Sequence, residues 1–165
     1  MLFSADASDS KDLIRALEGQ DAVICVMGNS TPKKRNPTLV SAVASLVELM
    51  QEKGPKRLVY LSTILVPESR ARAGWLAATI APLIIGNDIA DHIDKERAII
   101  SSPLDWTIVR ATKLGNGAQT WRYLAGPDVT ATKVLGMVSR SDLAKFMLEE
   151  VQGNRFVRAK PLIVM

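Results

Sequence analysis

Arg57-Leu58-Val59-Tyr60-Leu61-Ser62-Thr63 is the stretch whose reading decides the fold. It follows Gly54-Pro55, a pair suited to ending a helix, and it runs apolar until two adjacent hydroxyls close it. Such a run predicts a buried strand with Ser62 and Thr63 at its carboxyl end. In an open α/β sheet, ligands sit outside the carboxyl ends of the strands. A site is therefore expected at this tip.

Upstream, Ala22-Val23-Ile24-Cys25-Val26-Met27 is apolar throughout, as expected for a strand covered on both faces of a parallel sheet. Between the two strands, Thr38 is the expected cap of a helix reaching Lys53, with Leu39, Val40, Val43, Leu46, Val47 and Met50 as its apolar stripe. Gly28 to Pro32 and the basic triplet Lys33-Lys34-Arg35 form the loop before it. Further back, Asp9 is an expected N-cap and Asp12 sits favourably in the first turn of a helix that buries Leu13, Ile14 and Leu17 and stops at Gly19. Leu2-Phe3-Ser4 reads as a short strand. Strands alternating with helices argue for right-handed crossovers and a mostly parallel sheet with helices on both faces.

Downstream, Ile64 to Arg72 is expected to be a loop and Ala73 to Ile85 a short helix or lid disturbed at Pro82. Asn87 is the expected cap of a helix from Asp88 to Ile100, with Ile89, Ile93 and Ile100 inward. Trp106-Thr107-Ile108-Val109 predicts the next strand and Arg122 to Leu124 a short one. Ser139 with Asp142 resembles a capping box opening a helix to Val151, with Leu143, Phe146 and Met147 inward. Leu162-Ile163-Val164 predicts a last strand.

The chain has 165 residues, 47% apolar and 23% charged, which suits one globular domain with a sizeable core. The one cysteine, Cys25, excludes an intramolecular disulfide and reads as a small buried hydrophobe. One Cys and one His do not make a structural zinc site, and no metal is expected. The net charge of +4 is spread along the chain except at the triplet, so no nucleic-acid partner is expected. The start lacks a basic region followed by a long apolar core, so the expected compartment is the cytoplasm. The longest apolar run, Ala73 to Gly86, falls short of a span of about 20 residues, and no membrane partner is expected. An open sheet edge or the apolar Ala73 to Ile85 region would favour a homo-oligomer.

Asp6-x-x-Asp9, Leu17-x-Gly19-x-Asp21-Ala22-Val23-Ile24, Val59-x-x-Ser62-Thr63 and Asp105-Trp106-Thr107-Ile108-Val109-Arg110 occur in that order. Together with Asp91-His92-Ile93-x-Lys95-Glu96, this pattern resembles the NAD(P)H-binding atypical short-chain dehydrogenase/reductase proteins. Within them it is most similar to the NmrA-like and flavin-reductase (biliverdin reductase B)-like group. The resemblance runs over essentially the whole chain. It implies a Rossmann-like fold, NADP or NAD as cofactor, and hydride transfer to a flavin, quinone or carbonyl acceptor, a small-molecule substrate. It implies cofactor contacts at Asp6 and Ala7, at Gly28 and Asn29, at Ser62, and at Ala111, Thr112, Lys113 and Leu114. Ser62 and Thr63 would be the hydroxyls beside the reacting ring.

Two departures from that group shape the expectation. The group opens with a strand, a Gly-rich turn, a helix and a second strand, whereas this chain begins at what would be the third strand. The fold is thus expected to be N-terminally truncated, with the Leu2 strand paired to the Ala22 strand or an edge left open, and with weakened cofactor affinity. The wider superfamily's Tyr-x-x-x-Lys pair, aligned on Glu96, falls near Ile89 and Ile93, which donate no proton. This leaves two alternatives beside a reductase: a non-enzymatic NmrA-like dinucleotide-sensing or regulatory module, and an inactive truncated remnant.

His92 is the one imidazole and a candidate acid or substrate contact, although an exposed or structurally bonded helix histidine is the simpler reading. Lys95 and Glu96 are expected on a solvated helix face, with at most a local ion pair. Trp75 with Leu76, Ile80, Leu83, Ile84 and Ile85 reads either as lining of a substrate pocket or partner surface, or as core. Trp106 is expected in the core, and Trp121 and Tyr123 form a candidate stacking surface for a planar ligand.

Overall fold

The computed structural model describes residues 4–29, 31–132 and 136–165. Leu2 and Phe3 of the expected first strand lie outside the described residues. Strands β1 (Ala22–Cys25), β2 (Arg57–Thr63), β3 (Asp105–Ala111), β5 (Leu124–Gly126) and β7 (Leu162–Val164) form one sheet in the order β1-β2-β3-β7-β5. All neighbours in it are parallel except β5 with β7. A second pair joins β4 (Leu114–Gly115) to β6 (Val138–Ser139). Among the described residues β1 pairs with β2 alone, so its other edge is open.

Strand alternation assigns each face of β2 to a different core. Leu58 and Tyr60 join α1 (Ser10–Leu17) and α2 (Pro37–Glu52) through Leu13, Leu17, Val43, Leu46, Val47 and Met50. Val59 points the other way, to α4 (Arg140–Gly153), where Leu143, Phe146 and Met147 cover Val109 and Ile163. Helices therefore cover both faces, which is why these strands are apolar throughout rather than alternating. Trp106 and Cys25 are buried as expected.

Several local expectations are corrected. The cap of α2 is Asn36, whose side chain accepts from the Leu39 N–H, not Thr38; Pro37 then occupies the first helical position, where its missing N–H costs nothing. The Ala22 strand ends at Cys25, before Val26 turns out to solvent. The Ile64 to Arg72 loop closes in a 3-10 turn, Arg70–Ala73. The short strand near Arg122 is shifted to Leu124–Gly126.

The largest correction concerns one helix. Residues read as two helices form a single element, α3 (Trp75–Ile100), bent where Ile85 leaves helical geometry, three residues after Pro82. Asn87 is thus not a cap; its side chain donates to the Lys33 carbonyl at 2.8 Å. Ile89 and Ile99 face the core, whereas Ile100 is exposed. Ser139 caps α4 as expected, its Oγ accepting the Asp142 N–H at 3.0 Å. The Asp142 carboxylate also receives the backbone N–H groups of Thr120 and Trp121, a tie with no sequence signal.

Candidate functional site

Parallel strands end on one side of a sheet, so the segments leaving β1, β2 and β3 meet at a common rim. Gly28, Ser62, Thr63, Ala111, Thr112 and Leu114 line one cleft there, of about 180 Å³, together with His92 from α3. Seven of the expected site residues are thereby brought together. No atom lies within 4 Å of where a Cβ on Gly28 would sit, so the backbone there is open to a ligand. The Thr112 hydroxyl is buried with no hydrogen-bond partner among the described residues. An open backbone and a free buried hydroxyl on one rim suit a polar planar ligand such as the reacting end of a dinucleotide.

The remaining expected residues lie elsewhere. Asp6 accepts from the Ser8 N–H and hydroxyl, which holds its carboxyl below its ordinary range, and Ala7 packs against the core; both belong to the turn opening α1. Asn29 accepts from the Thr31 N–H and donates to the Lys34 carbonyl, so its side chain shapes its own loop. Lys113 lines a second, larger cavity.

Ser62 is not a free hydroxyl. It is 3% exposed and donates to Glu96 Oε1 at 2.6 Å. Glu96 in turn receives Arg110 through two nitrogens, at 3.2 and 2.6 Å. Glu68 binds the outer side of Arg110 at 2.7 Å and Lys160 at 2.8 Å. Burial works to lower the Arg110 pKa, but the two carboxylates outweigh it and hold the guanidinium above its usual value. Hydrogen bonds from Lys160 and Arg110 bring Glu68 down to about 2. Glu96 is therefore no solvated helix residue, contrary to expectation. Its bidentate partner on β3 makes burial possible, since a buried carboxylate without one costs several kcal/mol, about 3–5.

Lys95 is corrected in the same way. It is 0% exposed, and Nζ has no hydrogen-bond acceptor among the described residues. Burial lowers its pKa, opposed by Asp88 and Asp91. Asp91, also 0% exposed, anchors the loop after β1: it accepts the Asn36 N–H at 2.8 Å and pairs with Arg35 Nε at 2.8 Å. The basic triplet is thus partly structural, with Lys33 and Lys34 left exposed.

His92 Nδ1 lies 3.4 Å from both Tyr60 Oη and Ser62 Oγ. Burial, reinforced by Lys95, lowers its pKa to about 3. At neutral pH the ring is uncharged, able to donate or accept one hydrogen bond but not to act as an imidazolium acid. Burial also raises the Tyr60 phenol. Ile89 and Ile93, aligned with the wider superfamily's acid pair, do not line the cleft.

The second cavity, about 580 Å³, adjoins the cleft and shares Thr63, Ala111 and Thr112 with it. Its far wall is the first half of α3, through Leu76, Ala77, Ile80, Ala81, Ile84 and Ile85. Lys113 is its single charged lining residue among the described residues. The apolar segment read either as pocket or as core is split: Leu76, Ala77, Ala81 and Ile85 face the cavity, Ile80 and Ile84 stand at its rim at 45% and 54% exposure, and Trp75 and Leu83 point to solvent at 73% and 86%. Among the described residues Trp121 stacks on no aromatic neighbour; Lys145 Nζ sits over its ring at 4.2 Å. No described helix is long and apolar enough to cross a membrane.

Residues 1–153 match the family described as NAD(P)H-binding. Among solved structures, the chain is similar to ChuY, described as an anaerobilin reductase from Escherichia coli O157:H7, with TM-score 0.78 and 19% identity over 98% of this chain and 73% of that one. It is similar to the oxidoreductase ylbE from Lactococcus lactis, with TM-score 0.76 and 19% identity over 98% and 70%. A short-chain dehydrogenase/reductase from Veillonella parvula, solved in complex with NADP, has TM-score 0.73 and 17% identity over 99% and 71%. At these identities the likeness speaks for the fold. No curated protein matches in sequence.

Proposed function

Because this chain belongs to the NAD(P)H-binding family, we propose that it is an NAD(P)H-dependent reductase acting on an apolar planar acceptor, a quinone, flavin ring or conjugated carbonyl. The observation that carries this reading is the shared wall: Thr63, Ala111 and Thr112 border both the cleft at the strand ends and the larger apolar cavity. Gly28, Thr63 and Thr112 would hold the nicotinamide end. When bound, the cofactor supplies the hydride. Thr112 offers its unpaired hydroxyl, and the Ser62–Glu96–Arg110 chain keeps the end of β2 rigid beneath the cleft. The apolar wall of Leu76, Ala77, Ala81 and Ile85 excludes water from the acceptor. With His92 uncharged and the Tyr60 phenol raised, the cleft offers no strong acid, which favours acceptors whose reduction draws its proton from solvent. We place this activity in the cytoplasm, where reduced cofactor is supplied.

Fluorescence titration with NADPH, followed by its oxidation with a water-soluble quinone or flavin, tests the proposal. Saturable binding with turnover is expected; absence of saturable binding would refute it. Ala77→Phe should fill the cavity and raise the acceptor KM about tenfold with the NADPH Kd unchanged. A second reading, a dinucleotide-sensing module, is favoured by the same uncharged His92. It predicts saturable NADPH binding without turnover of any acceptor.

A further inference from the structure

We propose that the outward face of the first half of α3 is a docking site for an anionic lipid surface. Trp75, Thr79 and Leu83 are four residues apart and form one outward stripe, and Ile80 and Ile84, at the rim between this stripe and the cavity, are 45% and 54% exposed. The opposite side of the same turns lines the apolar cavity. This segment is therefore apolar all round, yet among the described residues only one side has a protein neighbour. A helix with that pattern is stable in a medium less polar than water.

The polar detail agrees. From Ala73 to Asn87 no residue is charged. Thr79, the one hydroxyl on the stripe, is turned back to the Trp75 carbonyl at 2.9 Å, so it asks nothing of the solvent. Cations stand at both ends of the stripe. Arg70 is exposed in the 3-10 turn that leads into α3. Exposed Lys33 borders Pro82, Leu83 and Ile84 in a surface depression, held there by Asn87, with Lys34 beside it. An apolar stripe flanked by cations fits acyl chains beneath anionic headgroups. A second copy fits less well, because a two-fold contact sets each patch against itself and brings the same cations together. The stretch Trp75–Ile84 is about 15 Å long, so it lies in the surface plane and does not cross it. The expectation of no membrane partner rested on span length, which surface docking does not require.

This inference goes beyond the proposed reductase activity and does not depend on turnover. The full chain is incubated with vesicles of phosphatidylcholine alone and of phosphatidylcholine with phosphatidylglycerol, then sedimented. Uptake is expected with the anionic vesicles, with a blue shift of tryptophan emission that Trp75→Phe removes. Trp75→Ser/Leu83→Ser should weaken uptake at least about tenfold. Both side chains are exposed, so the thermal midpoint and NADPH Kd of this variant should match the parent. Lys33→Glu/Lys34→Glu should weaken anionic uptake, as should added salt. No sedimentation, equal uptake by neutral and anionic vesicles, or full uptake by the double serine variant would each overturn the proposal. So would a dimer in light scattering that the serine variant dissociates while vesicles take up no protein.

Discussion

The two halves of α3 meet water in opposite ways. From Trp75 to Ile84 the helix carries no charge and exposes Trp75, Ile80, Leu83 and Ile84. From Asp88 to Ile100 it carries six charged residues and buries three of them, Asp91, Lys95 and Glu96, while Arg97 stays exposed. Residue type alone would assign these environments the other way round. The difference lies in what each half packs against. The second half crosses the ends of β2 and β3, where Ser62 and Arg110 supply Glu96 with partners. It also abuts the loop after β1, where Arg35 and the Asn36 N–H meet Asp91. The first half has the apolar cavity behind it, and Ala77 alone of its residues joins the small cluster of Ile64, Leu162 and Val164 among the described residues. Burial of a charge follows the partners that folding supplies.

The sharpest way to break this comparison is Glu96→Ala. It leaves Arg110 buried with only the outward Glu68 as counter-charge, and urea unfolding should show a loss of about 3–5 kcal/mol. A loss below about 1 kcal/mol would mean that the buried half does not depend on its ion network. Next comes Ile99→Ala at a site with 0% exposure, expected to cost about 2–4 kcal/mol in the same measurement.

A third prediction concerns acid. Unfolded, His92 takes up a proton near pH 6.5, whereas folded it resists until about 3. Between those values the unfolded chain binds more protons, so stability falls as pH falls, by about 1.4 kcal/mol per unit. Glu68 adds its own loss from 4.5 downward, toward about 2, because its folded carboxyl is held ionised. Between pH 4.5 and 6.5 His92 acts against Asp88, whose carboxyl burial raises and which therefore contributes with the opposite sign, and His92→Asn should flatten the urea-derived stability there. The smallest effect is expected at Leu83→Ser, 86% exposed, which should shift stability by no more than about 0.5 kcal/mol. If Leu83→Ser cost as much as Ile99→Ala, the first half of α3 would be covered in solution.

The strands were legible because a doubly covered strand must be apolar along its whole length. Arg57–Thr63 and Leu162–Val164 fall where their residues indicate. The rim was legible for the same reason, since a parallel sheet carries every strand's carboxyl end to one side. Helix boundaries were less so. Thr38 and Asn87 have the chemistry of caps, but Asn36 precedes a proline that takes the first helical position, and Pro82 bends α3 without ending it. Ser62 was recognised as a hydroxyl at a strand tip, yet its commitment to Glu96 depends on a contact 34 residues away.

By itself the sequence determined the mostly parallel layered sheet, the membership of an NAD(P)H-binding family and the meeting of Gly28, Thr63 and Thr112 at one rim. These follow from periodicity and local chemistry, which neighbours in the chain carry. Only the tertiary structure decided which charges are buried, which hydroxyl remains free, and which apolar residues face water. Each of those depends on a partner brought in by folding from a distant segment, and no local pattern records the partner.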